Sequence, residues 1–299
     1  MRTTIIATSI MLAGLSGPAQ AQDAAAATTA DATVAYAPAD WRQVPADNLL
    51  VIDTNRGRIL VEMAPEAAPL HVERMRVLAR RNFFDGIVFH RVIEGFMAQT
   101  GDPLGTGEGQ SPYPDIKAEF TFRRGPETPF ASVAEPAGAA LGFLNSLPIQ
   151  TQPTSVMATT ADGRVHGWGA YCPGVAGMAR DDAPDSANSQ FFLMRAAYPA
   201  LDKRYTVWGR VVSGLDVVRA IKVGDGENGA VTADPDRMIR VRVAADLALA
   251  DRPAVQVLDA GTAAFRTLAQ GVRADRGADF SICDIDLPVQ VSGAAAPAV

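Results

Sequence analysis

"FHRVIEGFMAQTGD", Phe89–Asp102, is the stretch on which the fold turns. It reads as two short apolar strands around a glycine turn, with one guanidinium, Arg91, inside the first. Side chains alternate along a strand, so Phe89, Arg91 and Ile93 share a face and His90 and Val92 take the other. A three-residue Ile93-Glu94-Gly95 loop would pair Val92 with Phe96 and Arg91 with Met97. That register gathers Phe89, Arg91, Met97 and Gln99 on one face: an apolar floor, a guanidinium and a carboxamide. A two-residue loop would scramble it. An arginine so placed needs partners for its donors. Glu94 and Asp102 lie close enough in sequence for a plain structural ion pair, and pattern alone leaves that reading beside a functional one.

The flanking segments are built from the same kind of unit. Leu49–Thr54 and Arg58–Met63 surround an Asn55-Arg56-Gly57 turn, a hairpin signal. In the Pro65–Gly86 stretch, Val72, Met75, Leu78 and Ala79 fall three and four apart, one buried helix face that stops at Asp85-Gly86. From Asp102 to about Gly174 the chain is rich in glycine and proline and reads as a long loop-rich excursion with one or two strands. Val175–Ala179, Ser189–Met194 and Tyr205–Val212 are strand-like. Ser213–Gly224 reads as a second helix with Ser213 as N-cap. Ile239, Val241 and Val243 alternate with arginines in a half-exposed strand. Beyond about residue 253 come one helical stretch, Val255–Leu268, and one strand-like stretch, Phe280–Val291. Many short strands with two core helices favour a closed barrel over a parallel α/β sheet.

Residues 1–21 read as a secretory leader: Arg2, an apolar run from Ile5 to Leu15, and an Ala19-Gln20-Ala21 exit with cleavage after Ala21. The run is short for a membrane span, and a buried helix is the bland alternative. The Ala/Thr/Asp-rich residues that follow read as a linker to residue 47. No other segment approaches the roughly 20 apolar residues of a membrane span, so no membrane insertion is expected after cleavage. The 27 basic and 33 acidic residues give a formal charge of −6. Losing Arg2 makes it more negative still, which argues against nucleic acid as a partner. Cys172 and Cys283 form either a disulfide, as exported proteins favour, or two unrelated thiols. Their spacing is unlike a Cys-x-x-Cys site, and His71, His90 and His166 show no ligand spacing, so neither metal nor cofactor is expected. His90, facing away from Arg91, is read as structural.

Taken in order, "FHRVIEGFMAQTGD", "NSQFFLM" (Asn188–Met194) and "LDKRYTVWGRVVSGLDVV" (Leu201–Val218) resemble the cyclophilin family of peptidyl-prolyl cis–trans isomerases. The likeness covers roughly Asn48 to Arg242, with an insertion at about 124–173. It implies an all-β fold: a closed eight-stranded antiparallel barrel capped by two helices, with the active site on its outer wall. The domain would span 48–250, followed by an extension at 251–299. Residue by residue, Arg91 matches the catalytic arginine, and Phe96, Met97 and Gln99 match the groove positions after it. Ala179 matches a backbone-contacting loop position; the loop length of "ARDDAP" leaves Arg180 and Asp181 unassigned. Gln190, Phe192 and Leu201 match later groove positions. Phe96, Met97, Phe192 and Leu201 would line a proline pocket, and Tyr205 stands where the family often has histidine. Ala200 replaces a tryptophan that helps bind cyclosporin in many members, which implies weak cyclosporin sensitivity.

The implied chemistry suits these residue types. Rotation about X–Pro breaks amide resonance over a barrier of roughly 20 kcal/mol, and an enzyme needs only to bind the twisted amide better than the planar one. A guanidinium, an apolar grip and a carboxamide suffice. The expected protein is therefore a monomeric, periplasmic or secreted isomerase acting on proline-containing polypeptides and assisting the folding of exported proteins. The alternative is a chaperone or assembly module that grips proline segments with little or no catalysis. The insertion, with Trp168 and Cys172, lies either near the groove or on the back of the barrel.

Overall fold

The computed structural model describes residues 35–293; the expected leader and the linker up to residue 34 lie outside these residues. In chain order the strands begin with β1 (Trp41–Gln43), β2 (Leu49–Thr54), β3 (Gly57–Met63), β4 (Arg91–Ile93), β5 (Met97–Thr100) and β6 (Phe122–Arg124). Next come β7 (Phe130–Ala134), β8 (Ala140–Leu144), β9 (Leu147–Thr151), β10 (Val165–Gly169) and β11 (Val175–Met178). The last are β12 (Phe191–Met194), β13 (Val207–Ser213), β14 (Met238–Val243), β15 (Ala254–Leu258) and β16 (Val289–Ser292). Among the described residues three α-helices join them: α1 (Pro69–Arg80), α2 (Leu215–Ala220) and α3 (Ala263–Arg276).

Eight strands form one antiparallel sheet in the order β14-β2-β3-β13-β11-β12-β5-β4. It curls around Leu50, Ile52, Ile59, Val61, Phe191, Leu193 and Trp208, with Val72, Met75, Leu78 and Ala79 of α1 packed in the same core. Removing that apolar surface from water is the main stabilising term. The curl stops short of the expected closed barrel, because β14 and β4 do not pair with each other. Val88 instead bridges to Arg237, and Arg91 bridges to Ala230. Gly224 N–H also donates to Val92 O, and Val231 N–H to His90 O, both at 2.9 Å. The 224–231 loop therefore covers the β4 edge, where a ninth ladder partner would otherwise be recruited.

Local details follow the sequence with some corrections. The α1 N-terminus has no side-chain cap of its own. Glu119 replaces it, accepting the N–H groups of Leu70 and His71 at 3.1 Å each and satisfying donors that a helix start leaves orphaned. Gly214, with φ 88°, is the N-cap of α2, not Ser213, and the helix ends at Ala220 rather than near Gly224. A register shift between Met238 and Arg240 breaks the alternation of β14. Met238, Val241 and Val243 consequently point inward and Ile239 is exposed.

The insertion is not the loop-rich excursion the composition suggests. It is a five-stranded antiparallel sheet ordered β6-β10-β9-β8-β7. Its strands contain Gly142, Pro148, Gly167 and Gly169, residues that hide a strand from propensity. At Gly142 a side chain would collide with the Ala131 carbonyl, so the close approach of β7 requires glycine. The extension also differs from expectation: 254–258 is strand, and the helix begins at Ala263. β15 pairs on one side with β1, from the segment read as linker, and on the other with β16. A second core joins this layer to the outer face of the large sheet, through Leu49, Val51, Leu60, Phe143, Ile149, Val257, Phe265 and Ile285. Arg42 of β1 clamps Glu62 of β3 with two hydrogen bonds of 2.7 and 2.9 Å.

The Cys172 and Cys283 sulfurs are bonded, tying the end of the insertion to the tail across 111 residues of sequence. A loop of that size restrains the unfolded chain strongly, by ~4–5 kcal/mol on a chain-entropy argument. Reductant should therefore lower the urea midpoint of the wild type by the equivalent of ~3–5 kcal/mol. A Cys172→Ser/Cys283→Ser variant should start from the lower midpoint and be indifferent to reductant.

Candidate functional site

β4 and β5 place Arg91 opposite Gln99 and Ile93 opposite Met97. The loop is thus Glu94-Gly95-Phe96, two positions away in register from the expected pairing of Arg91 with Met97. Both loops have three residues, so parity is preserved and Arg91, Met97 and Gln99 still share the outer face. Phe89 does not join them. It precedes the regular strand and is fully buried in the interior core with Val92 and Ala98.

Among the described residues Arg91 has no carboxylate partner. Glu94 pairs with Arg195 at 2.7 Å. The Asp102 carboxylate accepts the N–H groups of Leu104, Thr106 and Gly107 at 2.7, 2.8 and 2.5 Å. Burial alone would raise the Asp102 pKa, but these backbone donors outweigh it and hold the pKa below its ordinary value. Arg91 instead donates from Nε to the Asn228 carbonyl at 2.9 Å and from Nη1 to Gln99 Oε1 at 3.1 Å. Burial pulls its pKa down, with Tyr205 opposing, yet a guanidinium stays protonated in water-accessible conditions. The chain of donors continues from Gln99 Nε2 to Gln190 Oε1 at 3.0 Å. Gln190 Nε2 then donates to the carbonyls of Gly107 and Gly109 at 2.7 and 3.0 Å. Each amide is thereby fixed in orientation, with oxygen toward the arginine side.

Arg91, Phe96, Met97, Gln99, Ala179, Phe192, Leu201 and Tyr205 line one hollow of about 170 Å³, together with Arg180. Gln190 borders an adjoining hollow of about 80 Å³, which shares Gln99, Ala179 and Arg180 with the first. Ala179 N–H donates to Gln190 O at 2.9 Å. The residues matched to groove positions thus line two hollows that share Gln99, Ala179 and Arg180, while His90 is buried, its pKa lowered by burial. Among the described residues no group of three or more His, Cys, Asp or Glu is placed to hold a metal ion.

Sequence reasoning missed what stands behind the groove. Tyr171, at the end of the insertion, stacks on Phe192 with ring centroids 5.8 Å apart. Its N–H donates to Asp202 Oδ1 at 3.0 Å, and its carbonyl accepts Tyr198 N–H at 2.8 Å. Lys203 lies over Trp168 at 3.7 Å. The insertion therefore abuts the groove, bracing the loop that carries Leu201. Tyr198 also packs on Phe96, with centroids 4.6 Å apart, an aromatic two positions from the Ala200 that replaces the family's tryptophan. Arg180, left unassigned from its loop, lies over Tyr205 at 4.6 Å. An alignable loop length was the missing signal for Arg180; nothing local in the sequence marks Tyr171.

The model of the family described as cyclophilin type peptidyl-prolyl cis-trans isomerase/CLD matches residues 49–243, and the chain belongs to that family. A protein of Brucella suis named "Probable peptidyl-prolyl cis-trans isomerase" is 35% identical over 212 residues, covering 67% of this chain and 84% of that one. A protein of the same name from Brucella abortus matches to the same extent, 35% over 212 residues. The crystal structure of the cyclophilin AquaCyp293 from Hirschia baltica superposes with a TM-score of 0.77 at 34% identity, over 86% of this chain and 98% of that one. That coverage reaches beyond the family model's residues 49–243.

Burial raises the Asp202 carboxyl to about 6, against the Tyr171 N–H and Lys203, which favour the anion. A carboxyl held more tightly protonated in the folded chain than in the unfolded one makes stability fall as pH rises between about 4 and 6. Asp202→Asn keeps an acceptor for the Tyr171 N–H without the charge. It should melt about 2–4 °C above wild type at pH 8, on the order of 1 kcal/mol after allowance for solvent reaching this half-buried group. The gap should close below about pH 4.5 in differential scanning calorimetry.

Proposed function

We propose that this chain catalyses the cis–trans isomerisation of X–Pro bonds in exported bacterial proteins, with Arg91 as the catalytic residue. The observation that carries the reading is a guanidinium with no carboxylate partner among the described residues, held by neutral acceptors beside Phe96, Met97, Phe192 and Leu201. Phe96, Met97, Phe192 and Leu201 would grip the pyrrolidine ring. As the amide twists, conjugation is lost and the prolyl nitrogen gains a lone pair, which an Arg91 N–H can bond only in that state. Gln99, its oxygen committed to Arg91, keeps the guanidinium from swinging out and remains within reach of a substrate carbonyl. No covalent step is needed, because the planar cis and trans amides both lack the acceptor that the transition state offers. Export is supported by the leader-like N-terminus and by a disulfide, which persists in oxidising compartments.

A protease-coupled assay on a short X–Pro peptide should show acceleration by the wild type, and its absence would sink the enzyme reading in favour of a proline-binding module. Arg91→Ala should lose about 10²-fold in kcat/KM while its melting temperature changes little. Arg91→Lys should not restore the rate, since one ammonium cannot span Asn228, Gln99 and the substrate. Protein recovered from the periplasm or medium should begin at Gln22; an intact Met1 on exported protein would overturn the leader assignment.

A further inference from the structure

We infer that Arg180 is a specificity-determining residue that favours substrates with an acidic side chain next to the proline, an inference that rests on the isomerase reading of this site. Arg180 lines both hollows, and with Arg91 it is one of two cations on the larger one. The other seven residues around that hollow are Phe96, Met97, Gln99, Ala179, Phe192, Leu201 and Tyr205, none of them acidic. The proline site is thus locally positive in a chain whose formal charge is −6.

The partners of Arg180 hold it without neutralising it. Its Nε donates to the Arg204 carbonyl at 3.0 Å, and its Nη1 to the carbonyls of Asp181 and Asp182 at 2.7 and 3.2 Å. Its Cζ lies over the rings of Tyr205 and Phe120, at 4.6 and 5.5 Å from the centroids. Rings and carbonyls carry no net charge, and Nη2 takes part in none of these hydrogen bonds. Rotamer freedom has already been lost in folding, so a carboxylate arriving at the groove meets an oriented guanidinium at low entropic cost.

The surrounding charges set where the preference applies. Asp181 borders only the smaller hollow, and Asp182 and Asp185 are exposed on the same loop. Lys203, over Trp168, and Arg204, whose carbonyl holds Arg180, are exposed, while Asp202 accepts the Tyr171 N–H. A side chain deep in the smaller hollow therefore meets Asp181 as well as Arg180. One seated where the two hollows join, beside the bound proline, meets Gln99, Ala179 and Arg180, of which Arg180 alone is charged.

The test measures kcat/KM for two peptide series, Glu-Pro against Gln-Pro and Pro-Glu against Pro-Gln, at low and high salt. The wild type should prefer glutamate by about fivefold at low ionic strength in the series whose variable residue lies at the junction, and salt should erode that ratio. Arg180→Gln should bring it below about twofold, and Arg180→Lys should retain part of it. The ratio is the readout, so a general loss of packing cancels. Equal rates for glutamate and glutamine in both series, or a ratio that survives Arg180→Gln, would overturn the inference. Absence of turnover on every peptide would instead remove the isomerase reading and this inference with it.

Discussion

The site depends on one cross-strand pair, Arg91 opposite Gln99. A slip of one residue would turn Met97 and Gln99 inward and leave the arginine facing an apolar wall alone. The register is held from both sides. Val92 and Ala98, which pair with each other, are fully buried in the interior core, so the inner face penalises any slip. On the outer face the arginine Nε is held by Asn228 O, in the same loop that covers the β4 edge. The loop that prevents edge-to-edge association also aims the guanidinium.

The outer layers are part of the same arrangement. All six residues of β2 are buried, which a sheet with one solvated face would not allow. The tail and the insertion cover what would otherwise be the wet side. Their contribution to the site is indirect and passes through Tyr171, which supports Phe192 with its ring and the Tyr198–Asp202 loop with its backbone. The loop that carries Leu201 therefore rests on a residue that belongs to the insertion rather than to the eight-stranded sheet.

The readable parts of the sequence are those with a local signal: the β2–β3 hairpin has two β-rich runs around a turn, and α1 has a helical period whose apolar face is buried. The parity of Arg91 and Gln99 was legible too, because any odd-length loop preserves it; the exact partner was not, because nothing distinguishes Ile93-Glu94-Gly95 from Glu94-Gly95-Phe96 locally. Phe89 was misassigned by extending alternation past the point where the strand begins. Ile239 was misassigned because a bulge inserts one residue unannounced. The insertion was opaque for a different reason. Its strands rely on close backbone approach at glycine, as at Gly142 against Ala131, and close approach leaves no pattern of side chains to read. Arg180 lies in a loop without a strand register, and its place comes from the carbonyls of Asp181, Asp182 and Arg204 and the rings of Tyr205 and Phe120.

The bond between Cys172 and Cys283 closes a covalent ring that holds β11 through α3, and so Ala179, Arg180, Gln190, Phe192, Leu201 and Tyr205 of the groove. A protease cutting once at the exposed Asp181–Asp185 turn, or anywhere else inside the ring, produces no free fragment. The two new ends stay joined through the sulfurs, and the antiparallel pairing of β11 with β12 and β13 can hold them in register. Integrity on a reducing gel and integrity of the groove are then separate properties, and the second can outlast the first.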